Sequence, residues 1–510
     1  MRNFIFHNPV KIYFGEGQAV HVTEEAKSRP GAVLLVYGGG SIKRNGAYDD
    51  VTAALREAGN EVVELSGVTP NPRLDKVLEG VNLVREHGVS LILAVGGGSV
   101  IDCAKFISLG SGLGEDEDLW DDYVETGKPA PENLVPLVVV LTIAATGSEM
   151  GDAAVLTNWA RNRKLGYTSF PLTPKFSVLD PTYLLTLPAE QTTYGFVDMF
   201  CHTCEQYFSL PSDDNLSDEM AEAIQRHILR SWCACRRHPR SYEARGNAMW
   251  DSTFALNRVI SRGKEEDWGT HGIEHALSAY FDIPHGAGLA VVHPHWMKYV
   301  YTSRPEATAR FARWAVNVWG VDSTGKSERE VAEEGIERYA DFLRLVGAPL
   351  TLSEVGIPAD PATLDKLADH AGDVGGSLPP HHPRRCACHP RLVRDTGRVL
   401  RMYQGVSRDG GAGDLISTPA VYTSMTTHFA LHLYIDTQPP RCTGMASRTW
   451  MCDERRHLRF GGGAGLPRHR AVVGHMIRQR PYYPALGGVR KSLKRWIALP
   501  YHAAAESDSA

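Results

Sequence analysis

The stretch Ser90-Leu-Ile-Leu-Ala-Val-Gly-Gly-Gly-Ser-Val-Ile-Asp102 decides the fold of this 510-residue chain. Ser90–Val95 is a short, mostly apolar run stopped by glycines, the pattern of a strand buried on both faces. Gly96-Gly97-Gly98-Ser99 then opens a helix carrying Asp102 and Lys105. The same order stands upstream, where Ala32–Tyr37 runs into Gly38-Gly39-Gly40-Ser41. Between the two, Tyr48 to Ala58 reads as a helix stopped by Gly59, and Glu61–Leu65 as a strand. Arg73 to His87 puts Leu74, Val77, Leu78, Val81 and Val84 on one helical face, with Gly88 just past its end. Val135–Ile143 is a fourth strand. Strands alternating with helices of this size imply right-handed βαβ units and a mainly parallel sheet.

After about Leu187 strand-like runs become scarce. Glu190 to Ser209 and Ser327 to Val346 read as long helices, the second with a capping box at Ser327 and Glu330 and a stop at Gly347. The expected organisation is an α/β domain over residues 1–187 and an all-helical domain over 188–380, with ligands in the cleft between them. The apolar share of 43% excludes wholesale disorder, and a net charge of −5 argues against nucleic-acid binding by bulk charge. No apolar run reaches the roughly 18 residues of a membrane span. Met1 to Tyr13 lacks the apolar region of a secretory signal, and nine irregularly placed cysteines fit a reducing cytoplasm.

Glycine turns after strands let a backbone approach a phosphate, and a helix N-terminus adds N–H donors and partial positive charge. Neither turn has the Gly-x-Gly-x-x-Gly pattern or a Walker lysine, so each alone is equally a tight strand-to-helix turn. A pair of them at C-terminal strand ends favours ligand binding. Thr142 to Ser148 follows the fourth strand and adds hydroxyls. Farther on, Asp198 and His202 stand four apart in a helical stretch, as do His271 and His275, and His285 follows. That spacing stacks side chains on one helical face. Mixed carboxylate and imidazole donors suit Fe²⁺, Zn²⁺ or Mn²⁺, although an Asp–His pair at this spacing is more often a simple surface pair.

These stretches resemble the iron-containing (group III) alcohol dehydrogenases, and among them the NADPH-dependent aldehyde reductases and butanol dehydrogenases. The resemblance rests on Asn8-Pro-Val-Lys-Ile-Tyr-Phe-Gly-Glu-Gly17, the Gly96 to Asp102 loop, Ala145-Thr-Gly-Ser-Glu149, Ser177-Val-Leu-Asp-Pro181, Asp198-Met-Phe-Cys-His202, His271-Gly-Ile-Glu-His275 and Pro284-His285-Gly286. It implies one divalent metal, Fe²⁺ or Zn²⁺, on Asp198, His202, His271 and His285, with His275 as a proton relay or a supporting residue. It implies a dinucleotide diphosphate along Gly97, Gly98 and Ser99, near Asp102, with Thr142, Thr146 and Lys164 beside the phosphates, ribose and nicotinamide. NAD-using relatives place an aspartate just after the first strand. Here Gly39 stands between Gly38 and Ser41, with Lys43 and Arg44 close by, so NADP(H) is expected over NAD(H). The resemblance further implies an aldehyde or alcohol substrate, a homodimer, and no nucleic-acid or membrane partner. A glycerol dehydrogenase-like enzyme and a non-catalytic nucleotide- or metal-binding protein are the alternatives.

The charge average conceals a division. Residues 381–510 hold 20 Lys and Arg against 8 Asp and Glu, whereas residues 1–380 hold 34 against 51. No lysine occurs between Lys366 and Lys491. The resemblance calls for a last short helix near Pro380, and Pro380-His-His-Pro-Arg-Arg-Cys-Ala-Cys-His-Pro-Arg391 stands in its place. Codons can be chosen for this string whose shifted frame reads Leu-Thr-Thr-Pro-Glu-Asp-Val-Arg-Ala-Ile-Leu-Ala, a capped amphipathic helix. Residues 381–510 are therefore expected to be a frameshifted, poorly ordered tail.

Overall fold

The computed structural model describes residues 2–210 and 215–374. The arginine-rich segment 381–510, and every expectation placed on it, lies outside the described residues.

The first part is a sheet flanked by helices. Strands β1 (Lys11–Phe14), β2 (Ala32–Tyr37), β3 (Val62–Leu65), β4 (Val89–Gly96) and β5 (Leu137–Leu141) appear in turn. An antiparallel hairpin of β6 (Ala153–Asn158) and β7 (Arg163–Thr168) follows, and β8 (Phe176–Leu179) returns to the sheet. The sheet order is β1-β8-β5-β4-β2-β3, with every neighbouring pair parallel. All residues of β2 and β5 are buried, as their unbroken apolar runs require. Helices α1 (His21–Lys27), α2 (Ala47–Ala58), α3 (Leu74–His87) and α4 (Gly98–Ser111) accompany it.

The sheet is larger than its four expected strands. β1 and β8 have four residues each, too short for a periodic pattern to stand out, and they join at one edge. The hairpin β6–β7 was also not foreseen. Its turn passes through Asn162 at φ 49, a left-handed position that asparagine tolerates.

From β2 the chain moves outward to β3, and from β4 it moves the other way to β5. The crevice at the C-terminal ends of β2 and β4 is thus the topological switch point, where open α/β sheets bind ligands. Both glycine turns and the segment after β5 meet there, and Thr142 donates its N–H to the Gly96 carbonyl at 3.0 Å.

Behind this edge α4 is buried along most of its length, which brings Lys105 into the interior. The Lys105 ammonium meets the carbonyls of Ser148, Gly151 and Ala153 and the Ser148 hydroxyl at 2.8–2.9 Å. Burial pushes its pKa down to about 8, with Asp102 opposing. Asp102 accepts from the Ser148 hydroxyl at 2.6 Å and the Val155 N–H at 3.0 Å. The pair fastens the segment after β5 to α4.

The second part is helical: α5 (Ala189–Tyr207), α6 (Leu216–Arg237), α7 (Tyr242–Ala255), α8 (Gly269–Phe281), α9 (His285–Ser303), α10 (Thr308–Trp319), α11 (Glu328–Val346) and α12 (Pro361–Val374). The capping box at Ser327 and Glu330 is formed, and Gly347 ends α11 in the left-handed conformation. No described helix is long and apolar enough to cross a membrane. Arg73 pairs with Asp282 at 2.9 Å, and Asn71 donates to Asp282 and to the Ile283 carbonyl, tying the two parts together.

Candidate metal and dinucleotide site

Helix α5 is buried from Gly195 to Tyr207, so Asp198 and His202 sit inside the protein and need partners. They find them across the bundle. The Nε2 atoms of His202, His271 and His285 lie 3.4, 3.6 and 3.6 Å from one oxygen, Asp198 Oδ1. The four residues expected together are therefore together, from α5, the first turn of α8 and the first residue of α9. Two close approaches permit this. A Cβ on Gly195 would strike the Ala144 carbonyl, and one on Gly286 would strike the Tyr194 carbonyl. Glycine at 195 lets α5 touch the segment after β5, and glycine at 286 brings the start of α9 against α5.

The outer nitrogens are also assigned. His271 Nδ1 meets Glu205, and His285 Nδ1 meets Glu274. Glu205 is further fixed by the backbone N–H of Thr270 at 2.7 Å and of His271 at 3.3 Å. Each carboxylate holds its imidazole so that Nε2 faces Asp198, the arrangement that makes histidine a good metal ligand. Asp198 Oδ1 and His271 Nε2 are buried without a hydrogen-bond partner. Orphaned polar atoms facing one another are costly unless something joins them, so the donor set fits a divalent cation with mixed O and N ligation. Burial works to raise the Asp198 carboxyl, but His202 and the other imidazoles hold it below the usual carboxylate range. Burial pushes His202 down to about 3, which keeps its ring neutral and able to ligate.

His275 is buried one turn after His271, with its ring 6.4 Å from that of His271 and 5.8 Å from that of His285. Burial, followed by the nearby Lys164 charge, holds it well below the ordinary histidine value. Lys164 on β7 reaches Asn71 at 2.9 Å, Glu274 at 3.1 Å and His285 Nδ1 at 3.3 Å. It thus touches Glu274 and His285 of the candidate metal site directly.

On the sheet side, Gly97 caps α4, and Gly98 and Ser99 form its first turn. Their N–H groups face outward by construction of the helix. Thr142 and Thr146 stand beside them, and a Cβ on Gly98 would fall inside the Thr146 side chain. Gly39 is exposed, and a Cβ there would meet nothing within 4 Å. Ser41 opens the short helical turn that carries Lys43.

Sequence reasoning did not single out Glu205, Glu274 or Asn71. Glu205 had a signal, since it lies three residues after His202 and seven after Asp198 on the same face of α5. Asn71 had none.

A parallel sheet with phosphate-type turns beside a buried carboxylate ringed by three imidazoles belongs to a metal-dependent dinucleotide oxidoreductase. Known proteins agree. The description "Iron-containing alcohol dehydrogenase" matches residues 9–181, and "Fe-containing alcohol dehydrogenase family, C-terminal" matches residues 192–386. A probable NADH-dependent butanol dehydrogenase of Bacillus subtilis is 44% identical over 371 residues, 73% of this chain and 94% of that one. The NADPH-dependent aldehyde reductase YqhD of Escherichia coli is 37% identical over 373 residues, 72% of this chain and 94% of that one. The crystal structure of an NADH-dependent butanol dehydrogenase A from Thermotoga maritima superposes with a TM-score of 0.71 at 42% identity, covering 78% of this chain and 99% of the other. The chain belongs to the iron-containing alcohol dehydrogenase family. It is an alcohol dehydrogenase or aldehyde reductase acting on CH–OH groups.

Proposed function

We propose that the protein transfers hydride reversibly between NADP(H) and a primary alcohol or its aldehyde, with one divalent cation, Fe²⁺ or Zn²⁺, on Asp198, His202, His271 and His285. The convergence of three Nε2 atoms within 3.6 Å of Asp198 Oδ1 carries this reading. Such a cation, when bound, supplies Lewis acidity at the substrate oxygen. Glu205 and Glu274 orient the imidazoles. The Gly97–Ser99 turn receives the diphosphate, with Gly38, Gly39 and Ser41 toward the adenosine end. Thr142, Thr146 and Lys164 line the reacting end, and Asp102 holds the loop beside it through Ser148. His275 is read as the relay to the product oxygen; because burial holds its ring neutral, it would relay by taking a proton from solvent on one ring nitrogen as it gives up the proton on the other.

The names of the relatives divide between NADH and NADPH. The preference for NADP(H) is argued instead from Gly39, which leaves out the carboxylate that would repel a 2′-phosphate. Five free cysteines among the described residues support a reducing cytoplasm. A homodimer and a division near residue 187 complete the reading, the latter supported by the break between the matches ending at 181 and beginning at 192. The segment from about Pro380 onward is read as frameshifted translation. Its support is that the family match stops at 386 while relatives match over 94–96% of their own lengths. Resequencing that finds an intact frame refutes it.

The central test is His271→Ala. Loss of the metal, read by elemental analysis, together with loss of NADPH-linked butanal reduction is expected. Full activity in that variant, or in chelated enzyme, overturns the assignment. Better turnover of glycerol than of butanol would favour the polyol alternative, and a clear NADH preference in kcat/KM would remove the NADP(H) reading.

A further inference from the structure

Beside the first glycine turn stands a group of side chains that the reaction does not use. Glu64 on β3 lies in register with Leu35 of β2, two residues before Tyr37 ends that strand. Its two carboxylate oxygens accept from the Tyr37 and Tyr48 hydroxyls, each at 2.6 Å. The Lys43 ammonium rests over these same rings, 4.5 Å from the Tyr48 centroid and 5.3 Å from that of Tyr37. A fixed anion and a fixed cation therefore share one aromatic platform. Hydrogen bonds from Tyr37 and then Tyr48 hold the Glu64 carboxyl below its usual range, and the Tyr37 hydroxyl raises the Lys43 ammonium above its own. Both are charged at neutral pH.

The platform is carried in part by Tyr37, two residues before Gly39, whose missing side chain leaves open space. With the diphosphate on the α4 N-terminus, the adenosine ribose extends over the end of the adjacent strand, β2. On that placement the 2′ substituent would lie toward the end of β2 that carries this platform.

We propose that Glu64 and Lys43 act as an opposed charge pair that sets the dinucleotide choice: Lys43 attracts a 2′-phosphate, and Glu64 offsets that attraction from the neighbouring strand. This rests on the reading above that the 2′ end lies at Gly39. The pair makes the site tolerant of both cofactors, with the balance set by two surface residues outside the metal and glycine machinery.

The test is a fluorescence titration of NADPH and NADH against purified full-length protein, wild type and variants, at low and high salt. Lys43→Ala is expected to weaken NADPH by about tenfold, the size of one lost charge-assisted contact. Glu64→Gln is expected to strengthen NADPH by about threefold, as removal of a screened like charge should. NADH affinity stays within about twofold in both, and both shifts shrink as salt rises. The double variant returns toward wild type. A role confined to fold would move both variants the same way or move NADH equally. Either result, or weaker NADPH binding in Glu64→Gln, overturns the proposal. A wild-type preference for NADH overturns only the NADP(H) reading, because opposite shifts in the two variants still sustain the pair.

Discussion

Two turns of identical sequence, Gly38-Gly39-Gly40-Ser41 and Gly96-Gly97-Gly98-Ser99, follow adjacent parallel strands and face the same crevice. Their surroundings are opposite. A Cβ at Gly96 would lie 2.6 Å from Val100, one at Gly97 would lie 2.9 Å from Ile143, and one at Gly98 would overlap Thr146. At Gly39 and Gly40 a Cβ would meet nothing within 4 Å. The second turn is glycine because packing admits nothing else. In the first turn Gly40 is held to glycine by its φ of 92, whereas Gly39 is glycine where packing and backbone both admit more, which fits the proposed placing of the ribose there. Composition alone does not distinguish a structural glycine from a selective one.

The largest effect expected from this contrast lies behind the crowded turn. Lys105→Met leaves buried Asp102 uncompensated and strips four oxygens of their donor, and should cost about 3–5 kcal/mol of stability in urea unfolding. A loss under about 1 kcal/mol would mean that the segment after β5 does not depend on this staple. Next, Gly98→Val should weaken dinucleotide binding by about a hundredfold, as overpacking against Thr146 displaces the first turn of α4. Retained affinity would show that the two turns are equally permissive. A smaller, selective effect is expected at the open turn. Gly39→Asp should lower NADPH affinity by about tenfold, leave the melting temperature unchanged and make NADH binding no weaker, because the carboxylate enters free space, repels a 2′-phosphate and can accept from a 2′-hydroxyl. Gly39→Ala should be nearly silent, within about 0.5 kcal/mol in stability. A marked loss there would erase the distinction between the turns.

Local pattern made much of the fold legible. β2 runs from Ala32 to Tyr37 and α11 ends at Val346 as expected, because burial on both faces and capping chemistry leave marks within a few residues. β1 and β8 left no such mark, since four residues cannot carry a period. At the site, Asp198, His202 and His271 were legible as candidate ligands from i, i+4 spacing, and His285 from its place after them and from family resemblance. Their supports were not. Glu205 meets a histidine 66 positions away, and Lys164 reaches one 121 positions away. Such pairs arise because buried charges must find partners wherever the packing puts them.

By itself, then, the sequence determined the alternation of strand, glycine turn and helix, and the residue types able to hold phosphate and metal, since these follow from nearest-neighbour sterics and helical spacing. Only the tertiary structure decided which oxygen the imidazoles share and which nitrogen of His271 and His285 is left free. It also decided which glycine turn is crowded and which is open. Each of these depends on distances between elements far apart in the chain, and no local pattern encodes them.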